Sequence, residues 1–308
     1  MLLHNPGAGD EKHTAKSLCA LVRGAGHEVV YRSLDEAGWE KPLDNPPDLV
    51  AVAGGDGAVG KVLRRLAGSS VPAALLPLGT ANNIATALGL TADLDELVSG
   101  WAEGVNRRYD LGTVTVPGTC EARFVESVGG GLIAEAIARA GDAAGEREDK
   151  VDLGLRVLRE LVAVVEARPW RLRLDGADES RDLLAVEAML IGRAGPGIPL
   201  AGAAEVGDGL LDVVLLGEAE REPLATYIDE RLSGGSAAPA QVPVRRARNV
   251  ELVPPEGAHL RVDDEAVASN GPVRASTGAL STGILMPRTT GLHKGSILCS
   301  HSRQHPHR

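Results

Sequence analysis

The sequence predicts an α/β protein in two parts, an amino-terminal half built on a parallel sheet covered by helices and then a mainly β half. Three observations lead there. Over the first third of the chain, short apolar runs ending in glycines alternate with stretches of helical periodicity. From about residue 110 this alternation gives way to closely spaced strand-like runs separated by turn residues. Aromatic residues make up only 2% of the chain, so the core of both parts is built from Val, Leu, Ile and Ala.

Residues Thr14 to Arg23 place Ala15, Leu18, Cys19 and Val22 on one helical face, with Gly24 and Gly26 as a stop signal. The run DLVAVAGG, 48–55, is short, apolar and partly β-branched, which predicts a buried strand. After it Val59, Val62, Leu63 and Leu66 recur at helical spacing, with Arg64 and Arg65 on the opposite side. Ala73 to Leu78 repeats the strand pattern, and Ile84, Ala85 and Leu88 mark the inner face of the next helix. Repeated units of this kind imply a parallel sheet whose ligands sit beyond the carboxyl ends of the strands, where the glycine turns lie. In the second half RLRL (171–174), LLAVEAMLIG (183–192), LLDVVLLGE (210–218), VELVPP (250–255) and AHLRVDDE (258–265) read as strands. One helix is expected there, Leu153 to Ala167, with Val157, Leu158, Leu161, Val162 and Val165 inward, and Gly234 to Ala240 reads as a flexible loop.

A net charge of −10 argues against broad binding to nucleic acid or to a strongly anionic membrane surface, and the scarcity of rings argues against base stacking. Cys19, Cys120 and Cys299 are odd in number and far apart, which suggests neither a disulfide framework nor a metal knuckle. No basic stretch with a long apolar run opens the chain, and no apolar run is long enough to span a bilayer. The expectation is a soluble cytoplasmic protein whose membrane contact is peripheral. Residues 288–308 are polar and aperiodic and read as a disordered tail, in which His301, His305 and His307 lack a carboxylate or cysteine ligand set.

The segment VAGGDGAVGK, 52–61, fits the P-loop spacing from Gly55 to Lys61, but Val62 stands where a P-loop needs a Ser or Thr hydroxyl for Mg²⁺. The sequence therefore argues against a P-loop, and Lys61 reads as a solvated helix residue. The turn instead offers Gly54, Gly55, Asp56 and Gly57 between a strand and a helix. Glycines let backbone N–H groups approach a phosphate, the helix terminus favours its charge, and Asp56 is placed to hold a metal or a substrate hydroxyl. A second turn, PLGTANN, offers Gly79, Thr80, Asn82 and Asn83 in the equivalent place. Either alone reads equally well as an ordinary βα turn with good capping residues. Ser33 and Asp35 have no nearby His and no G-x-S-x-G is present, so a serine hydrolase has no support, and His4 reads as structural.

With HNPGAG at residues 4–9, the turns form an ordered set. NPGAG, GGDGA and PLGTANNIA resemble the catalytic domain of the diacylglycerol kinase and sphingosine kinase family of lipid kinases, most closely its bacterial members. The resemblance extends through SVGGGLIAEA, VGDGLLDVVLL, LRVDDE and GALSTGILMP and so covers nearly the whole chain except the tail. It implies a two-domain kinase with a Rossmann-like nucleotide-binding domain over 1–112 and a β-sandwich-like lipid-substrate domain over 113–277. The closing segment 278–287 would return to the first domain, and the active site would be the cleft between the two. The implied activity is transfer of the γ-phosphoryl group of ATP, with Mg²⁺, to a hydroxyl of a diacylglycerol-like lipid at or from a membrane surface.

The family's nucleotide contacts fall on Asn5, Gly9, Gly55, Asp56, Gly57, Gly79, Thr80 and Asn82. Its Asp-Gly-Glu falls on Asp263, Asp264 and Glu265, so the resemblance implies Glu265 as general base, assisted by Asp263, with Asp56 positioning the nucleotide. An attacking alcohol must lose its proton, and a carboxylate flanked by another acid has a raised proton affinity. The D-G-L-L-D around Asp208 and Asp212 resembles a family segment that contributes to a magnesium site, although a solvated β-turn reads equally well. Three positions depart from the pattern. Ala58 replaces the Thr of GGDGT and removes a hydroxyl, Asn83 replaces the usual Asp of GTxND, and Asp264 replaces a Gly and would be strained if that position needs positive φ. Two alternatives follow: an NAD kinase-like enzyme, since GGDG also occurs in NAD kinases, and a catalytically weak nucleotide- or lipid-binding protein, which Ala58 and Asp264 favour.

Overall fold

The computed structural model describes residues 1–288 except Glu11, Pro46, 144–149, 236–237 and Asn270; the expected tail beyond Arg288, with Cys299, His301, His305 and His307, lies outside the described residues. Strands β1 (Leu2–His4), β2 (Tyr31–Ser33), β3 (Val50–Gly54) and β4 (Ala73–Pro77) run parallel in the order β2-β1-β3-β4. Helices α1 (Ala15–Gly24), α2 (Asp56–Leu66), α3 (Asn83–Ala87) and α4 (Leu94–Ser99) cover them. Thr14 caps α1 by accepting the Ser17 N–H, and Leu18, Cys19 and Val22 pack with Leu2, Ala51 and Ala74 on one face of the sheet. On the other face Val59, Val62, Leu63 and Leu66 pack with Leu3, Val50, Val52 and Leu75. Strands buried on both faces carry no alternation, which is why DLVAVAGG is continuously apolar.

The chain then turns antiparallel. β5 (Val105–Thr115) and β6 (Ala122–Phe124) lead into β7 (Ser127–Gly131), α5 (Leu132–Ala143), α6 (Lys150–Val164), β8 (Arg168–Leu174), β9 (Ala177–Asp178), β10 (Arg181–Leu183) and β11 (Ala185–Met189). The small hairpin β12 (Arg193–Ala194) and β13 (Ile198–Pro199) precedes β14 (Leu211–Leu216), α7 (Arg221–Leu232), β15 (Val244–Ala247) and β16 (Asn249–Val253). A second hairpin, β17 (Leu260–Val262) and β18 (Glu265–Val267), is followed by the long closing strand β19 (Val273–Met286).

One sheet runs β10-β8-β16-β19-β4-β3-β1-β2 and is continuous from the antiparallel part into the parallel part. A second sheet, β15-β14-β11-β7-β17-β18, stacks on the antiparallel part, enclosing Trp170, Leu172, Val250 and Leu252 from the first and Val128, Val186, Val213 and Leu260 from the second. The outer face of this second sheet is covered by α5, α6 and α7 through Leu132, Leu158, Leu224 and Ile228.

Among the described residues three α-helices stand in this half where the periodicity predicts one. The expected helix is α6, shifted toward its amino terminus, burying Leu155, Leu158, Leu161 and Val162. α5 follows the triple glycine of β7 and is rich in alanine, so its apolar face merges with the strand-like run before it. α7 buries only Leu224, Tyr227 and Ile228, a stripe too short for its period to stand out.

β19 joins the two parts. It pairs antiparallel with β16 and β5, and at Ile284 it lies parallel to Ala73 of β4. Ile284 is fully buried in the same core as Val52 and Leu75. Ile284→Ala is expected to lower unfolding stability by about 2–4 kcal/mol in urea titration, the range for a truncated core aliphatic. An unchanged midpoint would show that this junction carries no stability.

Candidate active site

A cavity of about 700 Å³ opens at the carboxyl ends of β1, β3 and β4. Its first wall is made by Asn5 and Gly9, by Gly55, Asp56 and Gly57, and by Gly79 and Thr80. Asn5 Oδ1 accepts the Gly7 N–H at 3.1 Å and shapes the first turn, while the neighbouring His4 is buried with Nδ1 3.1 Å from the Tyr31 hydroxyl. The second and third turns meet backbone to backbone. A Cβ added at Gly79 would stand 2.5 Å from the Gly55 Cα, so the approach requires the absence of a side chain.

Asn82 lies behind this wall rather than on it. At φ 46°, its Oδ1 accepts the Gly79 N–H at 2.9 Å and its Nδ2 donates to the Gly79 carbonyl at 2.6 Å, closing the turn. Asp56 bridges two turns: its oxygens accept the N–H groups of Asn83 and Ile84 at 2.9 and 3.0 Å, the first turn of α3. Burial raises its carboxyl above the usual carboxylate range, against the pull of those two bonds. With the α3 donors taken by Asp56 and no side-chain cap on α2, the amino terminus of α2 is the one left to face an anion. Ala58 lines the cavity where the family's Thr would put a hydroxyl, and Lys61 is exposed outside the lining.

An acidic edge adjoins this wall. Asp263, 5% exposed, accepts the N–H groups of Val125, Glu126 and Ser127 on Oδ1 at 3.1, 2.8 and 3.2 Å. Its Oδ2 accepts the Val125 N–H at 3.0 Å and the Arg64 guanidinium at 2.6 Å. Burial pushes this carboxyl up, and the surrounding donors pull it back. Both oxygens are committed inside the protein, so the geometry makes Asp263 an anchor. The left-handed residue of the hairpin is Asp263, φ 52°, and Asp264 has no positive φ, so a side chain at 264 introduces no backbone strain. Asp264 lines the cavity, with Oδ2 3.5 Å from the point a Cβ on Gly57 would occupy. Glu265 begins β18 opposite Val262, exposed and outside the lining.

Two residues of this edge escape a reading of the sequence. Glu126, one position before the SVGGG run, lines the cavity; burial first, then the charges of Asp56 and Asp263, push its carboxyl well above the usual range while Arg261 pulls it down. Arg64, on the face of α2 assigned to solvent, crosses to Asp263 over Gly60, where a Cβ would stand 3.3 Å from its guanidinium. The opposite wall is mainly apolar, made by Ala136, Ile137 and Ala140 of α5, Val151 and Gly154 of α6, and Pro196, with Lys150 at the start of α6 as its one charged residue among the described residues.

Asp208 and Asp212 lie outside the cavity and converge on Arg246. Asp208 is ion-paired with its guanidinium, and Asp212 Oδ1 is 3.8 Å from its Nε. A cationic side chain already stands between the two carboxylates, so they do not fit a magnesium site. Among the described residues no group of three or more His, Cys, Asp and Glu is arranged to hold a metal ion.

Residues 1–114 match the family model of the diacylglycerol kinase catalytic domain, and residues 126–284 match that of the YegS C-terminal NAD kinase beta sandwich-like domain. A diacylglycerol kinase of Mycobacterium tuberculosis is 28% identical over 283 residues, covering 90% of this chain and 87% of its own. A Stenotrophomonas maltophilia protein named "Probable lipid kinase YegS-like" is 28% identical over 282 residues, covering 87% and 89%. The crystal structure of a diacylglycerol kinase from Bacillus anthracis shares the fold at a TM-score of 0.66 and 17% identity, covering 94% and 96%. An NAD kinase from Archaeoglobus fulgidus in complex with ATP shares it more distantly, at 0.51 and 12% identity, covering 93% of each chain.

Gly79→Ala is expected to force the two turns apart and weaken nucleotide binding at least about tenfold, close to 1.4 kcal/mol, in a calorimetric titration; unchanged affinity would remove the turns from the nucleotide site. A second expectation concerns Asp212, whose carboxyl is raised to about 6 by burial and then by Glu205. A carboxyl raised in the folded state holds its proton more tightly there, so its stabilising contribution is full at acid pH and is lost as pH rises through about 6. Asp212→Asn should therefore gain on the order of 1–3 kcal/mol relative to the unchanged protein between pH 4 and pH 7. A relative loss over the same interval would show that the Arg246 pair outweighs burial, and a difference independent of pH would show that the two cancel.

Proposed function

The chain belongs to the diacylglycerol kinase family of lipid kinases, and from that premise we propose that it transfers the γ-phosphoryl group of ATP to a hydroxyl of a diacylglycerol-like lipid drawn from a membrane surface. It is a phosphotransferase with an alcohol acceptor, and the proposal concerns donor, acceptor and residues. The observation that carries it is the composition of one cavity. Glycine turns suited to a polyphosphate form one wall, mainly apolar side chains of α5 and α6 with Lys150 form the other, and Glu126, Asp263 and Asp264 lie along the same lining. An acyl or glyceryl chain suits that second wall, whereas a dinucleotide acceptor would find Lys150 as the one charged side chain there among the described residues, which favours a lipid acceptor over NAD.

In this reading Asn5, Gly9, Gly55, Gly57, Gly79 and Thr80 receive the nucleotide, and Asp56 and Asn82 hold the turns in register. The division of labour follows the chain, with residues 1–112 and the returning segment 278–287 serving the nucleotide and 113–277 the lipid. When bound with the nucleotide, Mg²⁺ neutralises charge on the phosphates; Asp208 and Asp212, paired with Arg246, are not part of that step. The acceptor hydroxyl loses its proton to a carboxylate of the hairpin. Glu265 is the base that the family pattern designates; of the two hairpin carboxylates in the cavity lining, Asp263 has both oxygens bonded within the protein and Asp264 does not share those bonds. Asp263 serves both by holding the turn. No helix among the described residues is long and apolar enough to cross a membrane, and contact with the lipid surface is proposed as peripheral.

The test is transfer of labelled γ-phosphate from ATP and Mg²⁺ to a mixed-lipid extract, to NAD, and to neither. Label is expected in the lipid phase alone, with Glu265→Gln lowering turnover about 100-fold or more and leaving ATP binding nearly intact, as for loss of a general base. Retained turnover in that variant, with loss in Asp264→Asn, would move the base to Asp264. Label on NAD would favour the NAD kinase-like alternative, and measurable ATP binding with no transfer would favour a binding protein.

A further inference from the structure

We propose that the buried ion pair of Glu187 and Arg261 is a positioning device for phosphoryl transfer, setting the hairpin turn that carries Asp263 and Asp264 without itself lining the cavity. It rests on the lipid-kinase reading for what the turn does, and on geometry alone for how the turn is held. Glu187 lies in β11 and Arg261 in β17, with β7 between them. Both are register partners of the same residue, Gly129. A Cβ at Gly129 would stand 2.2 Å from Glu187 Oε2, so the missing side chain is the slot through which the two strands' charges meet. Arg261 Nη2 donates to Glu187 Oε2 at 2.9 Å and to Ser127 Oγ at 2.8 Å, and Nη1 donates to the backbone carbonyl of Asp263.

That last bond is the functional link. The Asp263 N–H donates to the Ser127 carbonyl at 2.8 Å and the Asp263 carboxylate binds the amides of 125–127. With Arg261 on the carbonyl, every polar group of this positive-φ residue is fixed, and Asp264 follows it directly into the cavity. As a stabiliser the pair is a poor choice. Glu187 and Arg261 are 0% and 3% exposed, and among the described residues Glu187 Oε1 and Arg261 Nε have no hydrogen-bond partner. Charges buried in this way are often replaced by apolar side chains with no loss of stability, and an apolar pair would pack the sheet. What it would lack is a fixed donor for the Asp263 carbonyl.

The double variant Glu187→Met/Arg261→Met separates the two roles. We expect an unfolding temperature unchanged or raised, a nucleotide KM within about threefold, and a kcat lower by about 30-fold or more, the scale of a misplaced catalytic group. Amide exchange at Glu126 and Ser127 should quicken at least about tenfold with global exchange unchanged, the mark of local release. A folded double variant with unchanged kcat and unchanged exchange at those amides overturns the proposal. Should the double variant not fold, Arg261→Lys carries the same two readouts, since one ammonium cannot serve all three acceptors in the guanidinium geometry. If the unchanged protein labels no lipid, the lipid-kinase reading fails, and the exchange measurement still decides whether the pair holds the turn.

Discussion

The carboxylate of Asp263 accepts the amides of Val125, Glu126 and Ser127 together with the guanidinium of Arg64, and the relation between the two parts of the molecule depends on it. Arg64 belongs to the helix whose amino terminus faces the phosphate wall. The three amides lead into β7, the strand between Glu187 and Arg261. One buried anion therefore ties the helix that follows the second glycine turn to the sheet that carries the acidic edge. Such a charge is tolerable in the interior only because donors surround it on both oxygens, and those donors come from segments far apart in the chain. The cleft is thus a property of the whole fold.

The same constraint explains how four carboxylates share a small volume. Asp56 and Asp263 spend their oxygens on backbone N–H groups, and each in doing so fixes a turn. All four line the cavity, and Glu126 and Asp264 are the two that do not spend both oxygens on those turns. The fixed pair also acts at a distance, because its charge helps burial to raise the proton affinity of Glu126. Anchors and working groups are therefore coupled electrostatically as well as mechanically.

What was legible in the sequence was whatever is written locally. The buried parallel strands read clearly because they are apolar on both faces and end in glycine, and the three turns read as a phosphate wall because glycine spacing is a local property. Arg64 was legible as a helix position but not as a partner, since Asp263 lies 199 residues away. Asp56 could be read as an acid beside a phosphate turn, whereas its bonds to Asn83 and Ile84 depend on how two turns are stacked. In DDE the residue pattern implied strain at 264 only if that position needed positive φ, and the positive φ falls on Asp263, one residue earlier. Glu187 lies in a run read only as a strand; its meaning needs the sheet register that sets Gly129 opposite both it and Arg261. α5 and α7 were hidden for a simpler reason, a glycine-led alanine helix and a three-residue apolar stripe.

The shared strand β19 also bears on how the molecule is made. β4 has β3 on one side and β19 on the other, and the residue of β19 that meets it is Ile284. On the ribosome, the first four strands and their helices emerge well before that partner is translated. During this interval β4 is an open edge, an unpaired row of N–H and C=O groups of the kind that recruits foreign strands. Maturation of the parallel layer is therefore a late event, completed when β19 is laid between β4 and β5. Until then the nascent protein depends on the cell to shield that edge.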